Sequence, residues 1–280
     1  MQRLVSVFAS SFSTVEIAEY SQVLAAAPEI STQADGSQLA QWRTATVMGQ
    51  ETLKQIKPEA DIFMFADQGM LQLACFDMDS TLIQAEVIDE LAAELGIKDQ
   101  VAAITERAMR GELDFKASFR ERLALLNGLS SDTLDGIFNR IQIMPGADTL
   151  MATLRSQGVK TVILSGGFEL FATRLAAKLG IDEVYSNVLD IVDGKLTGLA
   201  VEPIVDAEFK AQQLTKMAEE MDLASSQVLA VGDGANDLPM LAAAGIGIAF
   251  KAKPKVQELA PLTLNYGGLD GIAKALYGSV

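Results

Sequence analysis

The chain has 280 residues, 49% of them hydrophobic, and a formal net charge of −15. That is enough apolar material for one full core and a smaller companion unit. Residues 1–70 hold four Lys/Arg and eight Asp/Glu, a net of −4, and the remainder carries −11. No basic patch stands out, so nucleic acid and anionic membranes are poor partners for it.

Histidine is absent. That removes Ser-His-Asp hydrolysis, phosphohistidine chemistry and histidine-ligated zinc. The single cysteine, Cys75, allows no internal disulfide and no cysteine-rich metal site. A cysteine-nucleophile phosphatase needs Arg six positions after the cysteine, and that position is Thr81. Cys75 therefore reads as a small core residue.

Residues 4–9 form a short apolar patch. It is too short to span a bilayer and lacks a cleavage context, so it reads as a strand of a cytoplasmic protein. Ser13 is expected to cap a helix running to about Ala27, with Glu16 as its capping-box partner. Residues 42–48 and 61–66 read as strands, and residues 51–56 as a short helix closed by Pro58. This alternation predicts a small α/β unit over residues 1–68.

From residue 71 the pattern changes. Residues 71–76, 159–164, 228–231 and 246–250 are short apolar runs flanked by Gly, Asp or Ser, with helical patterns between most of them. That is the signature of a parallel sheet covered on both faces. Residues 84–142 interrupt it with four amphipathic segments (87–95, 100–110, 115–126 and 131–140) and no strand. An insert directly after the first core strand is expected to form a helical cap over that strand's C-terminal end. Asp193-Gly194 marks a hairpin within residues 187–201. The expected fold class is α/β: a doubly wound parallel sheet over residues 69–280 with an inserted cap, preceded by the small unit.

In open α/β sheets, ligands bind beyond the carboxyl ends of the strands. Three strand ends here carry Asp77-Met78-Asp79-Ser80-Thr81, Ser165-Gly166-Gly167 and Gly232-Asp233-Gly234-Ala235-Asn236-Asp237. Two acidic clusters at buried strand ends are costly unless a cation offsets them, and the glycines allow close backbone approach to an oxyanion. Oxygen-ligated magnesium beside a phosphate monoester suits this set, and Lys210 is a candidate second cation. Other motifs fit worse. An EF-hand loop would need Gly where Leu82 stands, no Gly-x-x-x-x-Gly-Lys-Ser/Thr loop occurs, and Gly232-Asp233-Gly234 lacks the third dinucleotide-binding glycine. Each group also has a plain structural reading. Asp77 and Asp79 would serve as turn residues, Asp233, Asp237 and Ser165 as helix caps, and Lys210 as a solvated surface charge.

Taken in order, these motifs resemble the haloacid-dehalogenase-like phosphatases. Within that superfamily, the stretches 86–90, 108–111, 115–122 and 165–168 are similar to those of the phosphoserine phosphatase family. The resemblance covers about residues 72–275. It implies that Asp77 is a nucleophile forming an aspartyl-phosphate and that Asp79 is the general acid and base. It implies that Ser165, the Gly166 amide and Lys210 hold the phosphoryl oxygens. Mg²⁺ would be held by Asp77, the Asp79 carbonyl and Asp233, with Asn236 and Asp237 in support. On the cap, Glu86 would meet a substrate ammonium and Arg122 a carboxylate, with Met109 and Phe115 as an apolar lid. The implied substrate is O-phosphoserine, hydrolysed in the last step of serine biosynthesis. Two other readings stay open: the same chemistry on another small phosphomonoester, and an amino-acid sensor without catalysis. The first 68 residues are expected to be an ACT-like regulatory unit, a homodimerisation module or a plain packing module.

Overall fold

The computed structural model describes residues 3–46, 49–66 and 71–278. Residues 47–48, part of the strand expected at 42–48, and residues 67–70, which hold the expected boundary, lie outside that description.

The first 66 residues run β1 (Arg3–Ala9), α1 (Thr14–Leu24), β2 (Glu29–Thr32), β3 (Gln38–Thr44), α2 (Gln50–Lys54) and β4 (Asp61–Ala66). Ser13 caps α1 and Glu16 closes the box by accepting from the Ser13 N–H at 2.7 Å. The helix stops at Leu24, with Ala25 left-handed, three residues short of the expected end. The strands form an antiparallel sheet ordered β2-β3-β1-β4, the split β-α-β sandwich of ferredoxin-like folds. β2 has no apolar alternation to betray it, since all four of its residues are exposed.

Alternate residues of β1 serve two cores. Val5, Val7 and Ala9 join Tyr20, Leu24, Trp42 and Leu53 in a cluster of the unit's own. Phe8 instead joins Leu39 and Phe63 in the large core of the following residues. The period of two along a strand makes this possible. The small unit therefore uses both faces of its sheet.

The remainder begins with β5 (Leu73–Phe76). Next come α3 (Val87–Glu94), α4 (Lys98–Met109), α5 (Phe115–Ala124) and α6 (Thr133–Arg140). The chain continues through α7 (Ala147–Ser156), β6 (Lys160–Phe168), α8 (Glu169–Leu179) and β7 (Glu183–Asn187) to a hairpin of β8 (Leu189–Val192) and β9 (Lys195–Ala200). It ends with α9 (Ala207–Glu220), β10 (Val228–Gly232), α10 (Leu238–Ala243), β11 (Ile246–Phe250), α11 (Pro254–Leu259), β12 (Leu262–Leu264) and α12 (Asp270–Tyr277). Six strands form an all-parallel sheet ordered β12-β11-β10-β5-β6-β7.

β5 sits inside this sheet and feeds both faces. Leu73 and Cys75 enter one apolar cluster, Ala74 and Phe76 the other. Cys75 is buried and its thiol is pushed up to about 12 by burial, which keeps it an inert core group.

The helices α3 to α6 rise between β5 and α7. The two chain segments that connect them to the core pair with each other. Ile83 bridges Ile143 antiparallel, Met144 N–H donates to the Leu82 carbonyl at 2.9 Å, and Gln84 N–H to the Gln142 carbonyl at 2.9 Å. The hairpin turns at Asp193 (φ 50°) and Gly194 (φ 74°), the two positive φ values that an Asp-Gly type I′ turn requires.

Candidate active site

The carboxyl end of β5 delivers Asp77, whose N–H donates to the Val231 carbonyl of neighbouring β10 at 2.9 Å. On the other side of β5, the ladder between β6 and β7 shifts register between Leu164 and Phe168. Ser165, Gly166 and Gly167 bulge there opposite the single residue Ser186. The bulge turns Ser165 and its glycines out of the ladder at the sheet edge where Asp77 and Asp233 emerge.

Lys210 is the centre of the charge arrangement. It lies on α9, one turn after the Asp206 cap, and has no solvent exposure. Its Nζ donates to Asp237 Oδ1 at 2.8 Å and contacts Asp77 Oδ1 at 2.9 Å. The surface alternative for this residue is thereby overturned. Burial works to lower the ammonium, but the Asp237 and Asp77 charges outweigh it and hold Lys210 above its ordinary value.

Asp77, Asp233 and Asp237 can each bring one carboxylate oxygen within 4.8 Å of the others. Burial, together with the Asp237 and Asp77 charges, pushes Asp233 up to about 7. Asp237 is raised too, by burial first and then by Asp77, with Lys210 opposing. Three crowded carboxylates with one ammonium leave a surplus of negative charge among hard oxygen donors. That donor set fits a magnesium-type cation. Asp237 has both oxygens engaged, Oδ1 by Lys210 and Oδ2 by the Gly234 N–H at 2.9 Å. Asp233 Oδ1 accepts from the Thr81 hydroxyl at 3.2 Å.

Asp79 Oδ1 is buried and has no hydrogen-bond partner among the described residues. Its Oδ2 accepts a long bond of 3.4 Å from the Val87 N–H at the start of α3. Burial, then the Glu86 and Asp77 charges, raises this carboxyl well above the ordinary range. A Cβ on Gly167 would stand 3.2 Å from both Asp79 Oδ2 and Ser165 Oγ, and 2.7 Å from Met78. Only glycine leaves that gap open.

The cap residues divide. Phe115 opens α5 and lies over the glycine turn, its ring 3.1 Å from where a Gly166 Cβ would be. It stacks on Phe119, which packs on Phe168 of the core. Glu86 sits at the start of α3 and is exposed. The Ser80 hydroxyl donates to its Oε1 at 2.6 Å, from a backbone held at φ 56°. The protein crowded around the Glu86 carboxyl raises it, and the Ser80 bond opposes that.

Arg122 is half-buried, and burial lowers its guanidinium against the Glu86, Asp89 and Asp79 charges. It makes no ion pair within the described residues, and its Nε donates only to the Ser118 carbonyl at 3.3 Å. Met109 ends α4 with 69% of its surface exposed. Asn236 is half-buried, with its Oδ1 only 2.2 Å from where a Gly234 Cβ would be.

Sequence reasoning assigned no role to Asn187, Ser80 or the Thr81 hydroxyl. Asn187 is buried at the end of β7 and touches both the Gly166 carbonyl and the Val205 N–H. A lone Asn before a hairpin carries no pattern that would reveal this. Among the described residues, no helix is long and apolar enough to cross a membrane.

A family model described as haloacid dehalogenase-like hydrolase matches residues 71–245. Phosphoserine phosphatase SerB2 of Mycobacterium tuberculosis is 50% identical over 201 residues, which is 72% of this chain and 49% of that protein. The chain thus spans about half the length of that relative. A phosphoserine phosphatase from Polaromonas sp. is 46% identical over 205 residues, 71% of this chain and 87% of that one. Among solved structures, a HAD-family hydrolase from Salmonella enterica serovar Typhi superposes with a TM-score of 0.86 at 32% identity. That match covers 100% of this chain and 99% of the other, so it includes the small N-terminal sheet. The chain belongs to the haloacid dehalogenase-like hydrolase family.

Proposed function

We propose that the protein is a magnesium-dependent phosphatase of O-phospho-L-serine that forms L-serine and phosphate, the closing step of serine biosynthesis in the cytoplasm. The observation that carries this reading is the buried Lys210 between Asp77 and Asp237, facing a cap that presents Glu86 and an unpaired Arg122. The phosphoserine phosphatases among its relatives support the choice of substrate.

Asp77 Oδ1 is held by Lys210 and by the Met78 N–H at 2.8 Å, and neither bond uses Oδ2. Asp77 is the nucleophile, and its attack on phosphorus breaks the bond to the serine oxygen. Asp79, whose carboxyl burial and the Glu86 and Asp77 charges raise well above the ordinary range, gives that oxygen its proton. It then takes a proton from the water that cleaves the aspartyl-phosphate. Ser165, the Gly166 N–H and Lys210 hold the phosphoryl oxygens as charge builds there. Phe115 over Gly166 keeps bulk water from the reacting atoms.

Asp77, the Asp79 carbonyl and Asp233 are the residues that would hold magnesium. Asp237, with both oxygens engaged, and Asn236 support them. When bound, the ion supplies positive charge that offsets the phosphate dianion. Glu86 and Arg122 supply one acid and one base for the ammonium and carboxylate of the substrate, with Met109 and Phe115 as the apolar lid. The small N-terminal unit acts as a packing module, since Phe8, Leu39 and Phe63 are built into the phosphatase core.

Phosphate release from phosphoserine, with and without magnesium, on the parent and Asp77→Asn tests the reading. Release by the parent only with magnesium, and none by the variant, is expected. A parent that releases no phosphate would sink it.

A further inference from the structure

Asn187 is 2% exposed and pairs with Phe168, where the ladder resumes after the Ser165-Gly166-Gly167 bulge. A bulge takes backbone groups out of the ladder, and a buried carbonyl left without a donor is destabilising. Asn187 repairs this. Its Nδ2 donates to the Gly166 carbonyl at 2.8 Å, and its Oδ1 accepts from the Val205 N–H at 2.8 Å. The two partners fix which end of the amide is which, because a carbonyl needs a donor and an N–H an acceptor.

The two bonds reach both halves of the phosphoryl-holding set. Gly166 is the middle of the bulge, and the next peptide N–H, Gly167, donates to Ser165 Oγ at 3.0 Å. Val205 immediately precedes Asp206, which caps α9, and the Lys210 N–H donates to the Asp206 carbonyl at 3.0 Å. One buried side chain thus ties the serine-glycine turn to the first turn of the lysine helix. Among the described residues, no backbone–backbone hydrogen bond joins the Ser165–Gly167 turn to the start of α9.

We infer that Asn187 is a positioning residue for phosphoryl transfer: it sets the Ser165–Gly167 turn and the Lys210 helix in one fixed relation around the phosphate. It touches no reacting atom and acts through Gly166 and Val205. The inference rests on the phosphatase reading given above. It predicts an effect confined to the phosphate end of the ligand, since Glu86 and Arg122 stand on separate cap elements.

The test compares the parent with Asn187→Ala and Asn187→Asp in the full chain with magnesium. The readouts are kcat and KM for phosphoserine, the inhibition constants of inorganic phosphate and of L-serine, and thermal melting. Asn187→Ala is expected to lower kcat by about 10- to 100-fold, the scale of a small misplacement of reacting groups. Phosphate inhibition should weaken by at least about fivefold while L-serine inhibition stays within about twofold, the fold-changes expected if only phosphate-holding groups move. Asn187→Asp keeps the acceptor for Val205 and loses the donor for Gly166, so it should show the same split. It decides the matter alone if Asn187→Ala does not fold. Inhibition constants are independent of the fraction of folded enzyme, so a merely structural role would leave both unchanged. Unchanged phosphate affinity, or phosphate and serine affinities weakening together, would overturn the inference. A parent with no phosphoserine hydrolysis would overturn the phosphatase reading instead.

Discussion

Lys210 and Asp237 form an ion pair at 2.8 Å in which neither side chain has any solvent exposure. Burying two charges is unfavourable unless their remaining bonding sites are met. Here Asp237 is fully engaged, since it also accepts from Gly234, and Lys210 fills two of its three donors with Asp237 and Asp77.

Removing the ammonium should therefore damage both fold and chemistry. Lys210→Met leaves Asp77 and Asp237 facing each other without their counter-ion. The expected loss of stability is about 3–5 kcal/mol, the range for breaking a buried pair from one side. Activity should fall by at least ~10²-fold, as when a charge-stabilising donor is lost. Denaturant unfolding and phosphate release check the two. A variant as stable as the parent would contradict the counter-ion role.

The carboxylates proposed to hold magnesium make a pH prediction with a definite sign. Asp233 is raised to about 7, and Asp237 is raised as well. A carboxyl raised on folding favours the fold most below its unfolded value, and this contribution is lost as pH rises through the folded value. The melting temperature of chelated protein should therefore fall from about pH 4 to about pH 7 and level off above that. Cation binding needs the charged form, so the melting shift produced by magnesium should grow over the same interval. The chain has no histidine to confuse that window. A magnesium shift that shrinks with rising pH would rule the assignment out.

Arg122 is half-buried and unpaired among the described residues, which suits a residue waiting for an anion. Arg122→Ala should raise KM for phosphoserine by about 10- to 100-fold, equivalent to a charged hydrogen bond of about 1.5–3 kcal/mol. Hydrolysis of p-nitrophenyl phosphate, which has no carboxylate, should change less than about threefold because that contact is never made. Equal losses on both substrates would show that Arg122 acts on the site as a whole.

Much of this was legible in the sequence because strand ends and glycines leave local marks. The runs ending at Asp77 and Asp233 became adjacent parallel strands, and the apolar run over residues 246–250 matched β11. The Ser13–Glu16 box and the Asp193-Gly194 turn were also readable, since each depends on neighbours in sequence. What could not be read depends on distant partners. β2 is too exposed to alternate, and β7 is hidden beside the hairpin. β6 runs through Phe168 because its bulge still pairs with β7. Lys210 was legible as a second cation near the site, but its pairing with Asp237 and Asp77 was not. Asn187 gave no sign at all.

Asp61 carries the last prediction. It is buried at the start of β4, and its carboxylate accepts from the Thr263 hydroxyl at 2.7 Å, the Asn265 side-chain amide at 2.9 Å, and the Asn265 and Tyr266 N–H groups. These partners all lie at or just beyond β12, so one carboxylate pins the small sheet to the last strand of the large one. Asp61→Ala would leave several half-buried donors without their acceptor, at up to about 1 kcal/mol for each lost bond. The only tryptophan, Trp42, is buried in the small unit's own cluster. Its fluorescence reports that unit, whereas far-ultraviolet circular dichroism reports the whole chain. In the parent, the shared Phe8, Leu39 and Phe63 core makes one cooperative transition, and the two signals should coincide. In Asp61→Ala the fluorescence transition should move to lower denaturant, ahead of the dichroism, while phosphate release in dilute buffer stays near the parent rate. Coincident, unshifted transitions in the variant would mean that the apolar face alone holds the two sheets together.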